Sequence, residues 1–304
     1  MYGQQDTAKD CVVSRQVGDV AVVTLNRPEV LNALNTAMIE GLVSAVRDAR
    51  GARALVIEAE GRAFCSGEDL REGLAPVTGS ADELLGTLER LQELTSVLSA
   101  LACPSVAAVQ GYAVGGGAEL ALTADMVIAS PDVRIRFPEV PLGHAPTGGI
   151  TLRLPQLVGL MRAKELLLSG RWVDADEALR IGLCIEIAAD PRRRAAELAR
   201  QLAGYPARSA AAAKRSLELL TLPGQELALR SEVDAALFCF DAPDAQASLE
   251  RFRLTGEALN GDRDGAPGVD LWRKLRSAGT SRSHRLCTRP HGGGLRSRSC
   301  ALAR

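Results

Sequence analysis

Three consecutive glycines, Gly115, Gly116 and Gly117, follow the apolar run Val106 to Val109 and lead into Ala118 and Glu119. A buried strand that meets such a run must end there and pass into a helix, because glycine tolerates a backbone turn that a side chain would block. The turn leaves N–H groups without partners at the positive end of the new helix. Glu139 follows in Phe137-Pro138-Glu139, twenty positions after Glu119. Two carboxyl groups near such donors supply acid, base and anion stabilisation in one cleft, which points to chemistry on a carbonyl compound.

The rest of the first half alternates strands and helices. The β-branched run Asp19 to Leu25 is closed by Asn26-Arg27-Pro28, and Ala54 to Ala59 is apolar enough for a buried parallel strand. Between them Ile39, Leu42, Val43 and Val46 share one helical face, and Leu84, Leu88, Leu91 and Leu98 repeat along another. Ser105 to Gln110 is the strand that delivers the glycines, and Asp125–Ala129, Arg134–Phe137 and Cys184–Ala188 are predicted as short strands. Asp174 caps a helix over 175–181 that Gly182 stops. From Pro191 the pattern is helical only, through 210–220, 226–240 and 245–254. An α/β half followed by helices predicts a core over 12–204 and a helical packing segment over 205–262, with Leu227, Val233, Leu237 and Phe240 as its buried face.

Composition narrows the class. With 36 basic and 37 acidic residues the net charge of −1 gives no argument for nucleic acid or an anionic membrane. The seven cysteines are odd in number and none pair at metal or redox spacing, so a reduced, cytoplasmic protein is expected, with no metal. The first residues lack the basic-then-apolar pattern of a secretory signal, and no uncharged apolar run approaches the ~18 residues of a membrane span. After Asp270 there is no acidic residue while arginines accumulate among Ser, Gly and Pro, so 277–304 is read as a disordered basic tail. An RNA-binding role would rest on that tail alone.

Gly67, in Arg62-Ala63-Phe64-Cys65-Ser66-Gly67-Glu68-Asp69-Leu70, permits a tight turn that frees the N–H of Glu68. If that group converges with the N–H of Gly116, the two form an oxyanion hole, each donor worth about 2.7–4 kcal/mol of transition-state stabilisation. These residues resemble the crotonase (enoyl-CoA hydratase/isomerase) superfamily. Leu25-Asn26-Arg27-Pro28 with Leu31-Asn32-Ala33-Leu34 is similar to its N-terminal signature, Ala63 to Leu70 to its first oxyanion segment, and Gln110 to Leu120 to its second. The resemblance runs from about Val12 to Leu254.

The resemblance implies a spiral of stacked ββα units, of the kind shared with ClpP, followed by a C-terminal helical oligomerisation segment that builds trimers or dimers of trimers. It implies an acyl-CoA thioester as ligand, with coenzyme A as part of the substrate and no separate cofactor. The thioester oxygen would accept from the backbone N–H groups of Glu68 and Gly116. Glu119 would act as base towards water attacking the β-carbon, and Glu139 would protonate the α-carbon. Ala63, Ser66, Asp69, Leu70 and Gly115 would lie along the substrate. Arg27 and Arg71 are candidates for the coenzyme's phosphates, because the family's basic C-terminal segment is not evident after Phe252.

Plainer readings compete. A glutamate in a first helical turn gains roughly 0.3–1 kcal/mol from the dipole alone, and Glu139 after a proline is an ordinary loop charge. Cys65 reads as a packed small side chain, and His144 as a satisfied polar group. Two departures from the family pattern stand out. Glu68 is charged where the family has a small or apolar residue, and the loop Pro141 to Gly149 is one residue short. Both carboxylates together favour hydration of a 2-enoyl-CoA or the reverse dehydration. A Δ3-Δ2 enoyl-CoA isomerase using Glu139 alone, and a non-catalytic acyl-CoA-binding subunit, are the alternatives.

Overall fold

The computed structural model describes residues 11–69, 80–240 and 242–255. In chain order these form β1 (Val12–Val17), β2 (Val20–Leu25), α1 (Thr36–Asp48), β3 (Ala54–Ala59), α2 (Ala81–Ser99), β4 (Ser105–Val109), β5 (Tyr112–Val114) and α3 (Gly116–Thr123). There follow β6 (Met126–Ala129), β7 (Arg134–Arg136), α4 (Ile150–Val158), α5 (Leu160–Ser169), β8 (Val173–Asp174), α6 (Ala175–Ile181) and β9 (Glu186–Ile187). Four helices end the described chain: α7 (Pro191–Ala203), α8 (Ala207–Thr221), α9 (Gln225–Phe240) and α10 (Pro243–Thr255).

One sheet has the order β1-β2-β3-β4-β6-β9, and a smaller one the order β5-β7-β8. Apart from the β1–β2 hairpin, the strands of the large sheet pair in parallel, each entering after a helical crossover. A repeating unit is visible in this order. β4, β5 and α3 form one, β6, β7 and α4 the next, with the first strand of each in the large sheet and the second in the small one.

Period-two alternation assigns the two faces of the large sheet. Val23, Leu25, Leu55, Ile57, Ala107 and Val109 face the main core with α1 and α2. Val20, Val22, Val56, Val106, Ala108 and Ile128 face α7, which presents Ala195, Ala199 and Ala203. Those three alanines recur every four residues, a stripe small enough to seat the helix close on the strands. Ala199→Leu adds volume to a site with no exposed surface and is expected to destabilise the fold by about 1–3 kcal/mol in urea unfolding.

Caps mark the helix starts where the sequence supplies them. Asn35 accepts from the Met38 N–H, Asp174 from that of Glu177 and Asp190 from that of Arg193. The predicted helix over 175–181 and its Gly182 stop are found with those bounds. Differences have physical causes. β1 exposes five of its six residues and carries Ser-Arg-Gln, so it has no apolar alternation to read. α4 contains Pro155, a helix breaker by rule, and buries Ile150 and Leu154 alone. β9 keeps two residues of the predicted Cys184–Ala188.

Of the helices after β9, α9 reaches back to the body of the protein. Ala236, with Val233, Leu237 and Phe240, packs on Leu84 and Leu88 of α2 and on Ala145. Leu227, expected on that buried face, is instead 73% exposed; its place is taken by Leu229, Glu232 and Ala236. The α9 face thus runs one step round from the one the apolar spacing suggested, because it carries a buried acid. The proposed tail over 277–304, and the end of the 205–262 segment, lie outside the described residues.

Candidate active site

The glycines do the work expected of them. Gly115 has φ 51° and ψ −126°, a conformation open to glycine, and α3 starts at the next residue. A Cβ on Gly115 would fall 2.8 Å from Glu139 Oε1, so the absence of a side chain lets Glu139 approach the turn. Gly117 presses as closely on Cys65, whose carbonyl oxygen would be 2.5 Å from an added Cβ. Glu119 is on the first turn of α3, with its N–H on the Gly115 carbonyl.

The segment over 63–69 lies directly alongside. The Cys65 N–H donates to the Tyr112 carbonyl and the Val114 N–H to that of Cys65, which extends β5 by one bridge. Gly67, at φ 91°, sits so close to Val114 that a Cβ would be 2.8 Å from its carbonyl oxygen. On the other edge the Gly67 carbonyl accepts from Leu34 N–H and the Asp69 N–H donates to the Leu34 carbonyl. Backbone groups alternate sides along an extended chain. Glu68 therefore turns its N–H away from Leu34, towards Gly115 and Gly116. The Gly116 N–H, in the first turn of α3, has no carbonyl four residues back to bind. The segment that bears the Glu68 N–H thus lies alongside the turn that bears that of Gly116.

Three carboxyl groups share that place. Glu119 is 2% exposed and accepts from the Thr147 N–H (3.0 Å) and the Thr147 hydroxyl (2.8 Å). Burial, then the charges of Glu139, Glu68 and Glu232, push its pKa well above the usual carboxylate range. Glu139 is 7% exposed and its Oε2 has no hydrogen-bond partner. Burial pushes its pKa up to about 8. Glu68 is half-buried, and loss of water around its carboxyl raises its pKa to about 7. A set of acids this close cannot all be ionised at neutral pH; the native site holds protons.

Other expected residues fall into different parts. Cys65 is fully buried against Gly117 and its thiol is pushed up to about 12 by burial, which makes it packing. Ala63 is buried, its carbonyl accepting from Asn32, and Ser66 lies on the Leu31 and Val30 carbonyls. Arg27 departs from its expected role towards phosphates. It is 5% exposed, and its guanidinium donates to the Ala33 carbonyl (2.7 Å) and pairs with Asp69 (3.2 Å). The pair is internal: Asp69 is the counterion of Arg27, and neither side chain offers its charge to solvent. Leu70 and Arg71 lie outside the described residues. Burial lowers the pKa of His144; its backbone N–H donates to the Glu139 carbonyl, and its buried Nε2 is unpartnered.

Sequence reasoning passed over two residues that shape the site. Thr147 holds Glu119, and Glu232 of α9 holds the loop that carries Thr147. Glu232 is 2% exposed and accepts from Gly149 N–H (2.7 Å), Thr151 N–H (2.9 Å) and the Thr151 hydroxyl (2.5 Å). In the sequence it is one charge on an ordinary helix; nothing local marks it. Gly148 lies between, its φ of 59° and a Cβ position 2.7 Å from Glu119 Oε2 leaving room for no side chain. Glu232→Ala strands the buried Gly149 N–H at about 1–3 kcal/mol and leaves the Thr151 N–H to water. Lower stability in urea and faster amide exchange at Gly149 and Thr151 are expected, with partial rescue by Glu232→Gln. Beside Glu119, Leu91, Leu94 and Leu98 of α2 form an apolar wall around a small cavity with room for about one water.

The chain matches the family model described as enoyl-CoA hydratase/isomerase over residues 15–257. It is 43% identical over 188 residues to a probable enoyl-CoA hydratase of Rhodobacter capsulatus, covering 60% of this chain and 72% of that one. It is 31% identical over 256 residues to an enoyl-CoA isomerase/hydratase of Mycosarcoma maydis, covering 79% and 92%. Its fold is similar to a crystal structure of an enoyl-CoA hydratase/isomerase from Mycobacterium paratuberculosis, with a TM-score of 0.75 at 29% identity over 80% of this chain and 98% of that one.

Proposed function

Since the chain belongs to the enoyl-CoA hydratase/isomerase family, in which the crotonase-type α/β fold is expected and found, we propose that it hydrates a 2-enoyl-CoA, or dehydrates the corresponding 3-hydroxyacyl-CoA. The observation that carries this reading is the pair of buried carboxyls, Glu119 and Glu139, on either side of the turn at Gly115 and Gly116.

The steps follow from the donors. The thioester oxygen accepts from the N–H groups of Glu68 and Gly116, which draws electron density from the β-carbon. Glu119, which when ionised is held by both donors of Thr147, takes a proton from water as the water oxygen bonds to the β-carbon. The π electrons move to the thioester oxygen as an enolate, held by the two N–H groups and the dipole of α3. Glu139, with no donor on Oε2 and a pKa of about 8, keeps its proton at neutral pH and delivers it to the α-carbon. One carboxyl protonated and one ionised is the arrangement acid–base catalysis needs. The reaction adds the elements of water with no net oxidation or reduction and asks for no cofactor beyond the coenzyme A of the substrate.

The isomerase alternative rests on Glu139 alone, and the acyl-CoA-binding subunit on neither acid. Assay of purified protein against 2-enoyl-CoAs and 3-enoyl-CoAs of several chain lengths tests the choice. Hydration of the former supports the reading; conversion of the latter without hydration overturns it. Assembly into trimers remains part of the proposal, supported by exposed apolar side chains on the last helices, Leu217, Leu220 and Phe238. Placement in the cytoplasm likewise remains a proposal; no helix among the described residues is long and apolar enough to cross a membrane.

A further inference from the structure

We infer that Glu68 is an internal competitor for the oxyanion hole, its side-chain carboxylate occupying the place where the substrate's thioester oxygen must bind and leaving it when protonated. The inference rests on the reading of Glu68 and Gly116 as a thioester clamp, and concerns the side chain of a residue so far given a role through its backbone alone.

The geometry is specific. Glu68 could point its side chain to solvent from an edge segment, yet its Oε1 lies 3.6 Å and its Cδ 3.8 Å from where a Cβ on Gly116 would be. The same carboxylate accepts from the Glu68 backbone N–H, a bond that favours its ionised form against the cost of burial. It thus meets one proposed donor directly and covers the residue that bears the other. A thioester oxygen and a carboxylate oxygen want the same N–H groups, and the two cannot be accommodated together.

The surroundings make this occupant labile. The charged groups that face Glu68 from α3 and from the turn after β7 are Glu119 and Glu139, both acidic, and both feel its charge. On its own segment Cys65 is neutral and Asp69 is taken up by Arg27. Among the described residues no cation of this set holds Glu68 in place, and burial raises its pKa to about 7. Protonated, the carboxyl is a weak acceptor and gives up the N–H. Ionised, it stays, and in the complex it would stand beside a developing enolate. Substrate binding and protonation of Glu68 are therefore linked, and affinity falls as pH rises through about 7.

Calorimetric binding of butyryl-CoA, a saturated thioester that cannot be hydrated, tests this at pH 6 and pH 8 with wild type, Glu68→Ala and the size-conserving Glu68→Gln. Wild type is expected to lose roughly tenfold in affinity between the two pH values, the factor for one proton taken up on binding by a group that titrates near 7. Both variants are expected to lose less than about threefold and to bind about tenfold tighter than wild type at pH 8. Equal pH profiles in wild type and both variants overturn the role of Glu68 and leave the clamp standing. Failure of all three proteins to bind butyryl-CoA at either pH overturns the clamp and the inference with it.

Discussion

Glu119→Gln and Glu139→Gln are each expected to lower the rate of the proposed enoyl-CoA hydration by roughly 10²–10⁴, the usual contribution of a positioned acid or base. Glutamine keeps the shape of each side chain and the acceptor oxygen facing Thr147, so the loss is one of proton transfer. The double variant loses little more than either single one, because a water activated without a waiting acid, or the reverse, completes nothing. The two roles separate in the pH profile. The limb at high pH belongs to Glu139, whose proton is lost through about 8, so wild-type hydration falls above that value. If Glu119→Gln retains most of its activity while Glu139→Gln does not, one-carboxyl isomerisation is the better description.

The same replacements stabilise the protein in alkaline solution. Glu139 has a folded pKa of about 8 against an ordinary 4.5, and that of Glu119 is also raised, by burial and by its acidic neighbours. A raised folded pKa means the native state holds protons that the unfolded chain releases. The stability from those protons is fully present below the unfolded pKa, near 4.5, and is lost as pH rises through the folded one. Each tenfold difference in proton affinity is worth about 1.4 kcal/mol, so the erosion amounts to a few kcal/mol by pH 9. Glu139→Gln removes one charge and relieves Glu119 of its nearest repulsion. Urea midpoints measured from pH 6 to pH 9 should therefore fall for wild type and stay flatter for the variant. Parallel curves would show that the acids pay no such cost, and that water or a cation neutralises them. An active site less stable than its inert variant is the familiar trade between function and stability.

The glycine run, the turn at Gly67 and the two glutamates were legible before any coordinates, because each is a local demand: a positive φ, a helix start, a carboxyl at fixed spacing. Asp174 and Gly182 bounded their helix for the same reason. What escaped was set by partners distant in the chain. Arg27 reads as a free cation until Asp69, forty-two positions on, is seen beside it. Glu232 reads as surface until α9 folds back over the loop at 147–151. The side chain of Glu68 could have faced either way, and periodicity has no term for direction at an irregular edge. α4 was hidden by Pro155, whose lost N–H the surrounding packing tolerates.

The hold of Glu232 on Gly149 and Thr151 also sets an order of events during synthesis. The strands, the glycine turn and both glutamates emerge from the ribosome well before α9, and they can assemble around the main core as domains do from their N-terminal side. The loop that grips Glu119 waits for a residue more than eighty positions further along. A nascent chain thus carries the candidate site incomplete until most of the described helices are out, and the loop at 147–151 is fastened only after α9 has emerged.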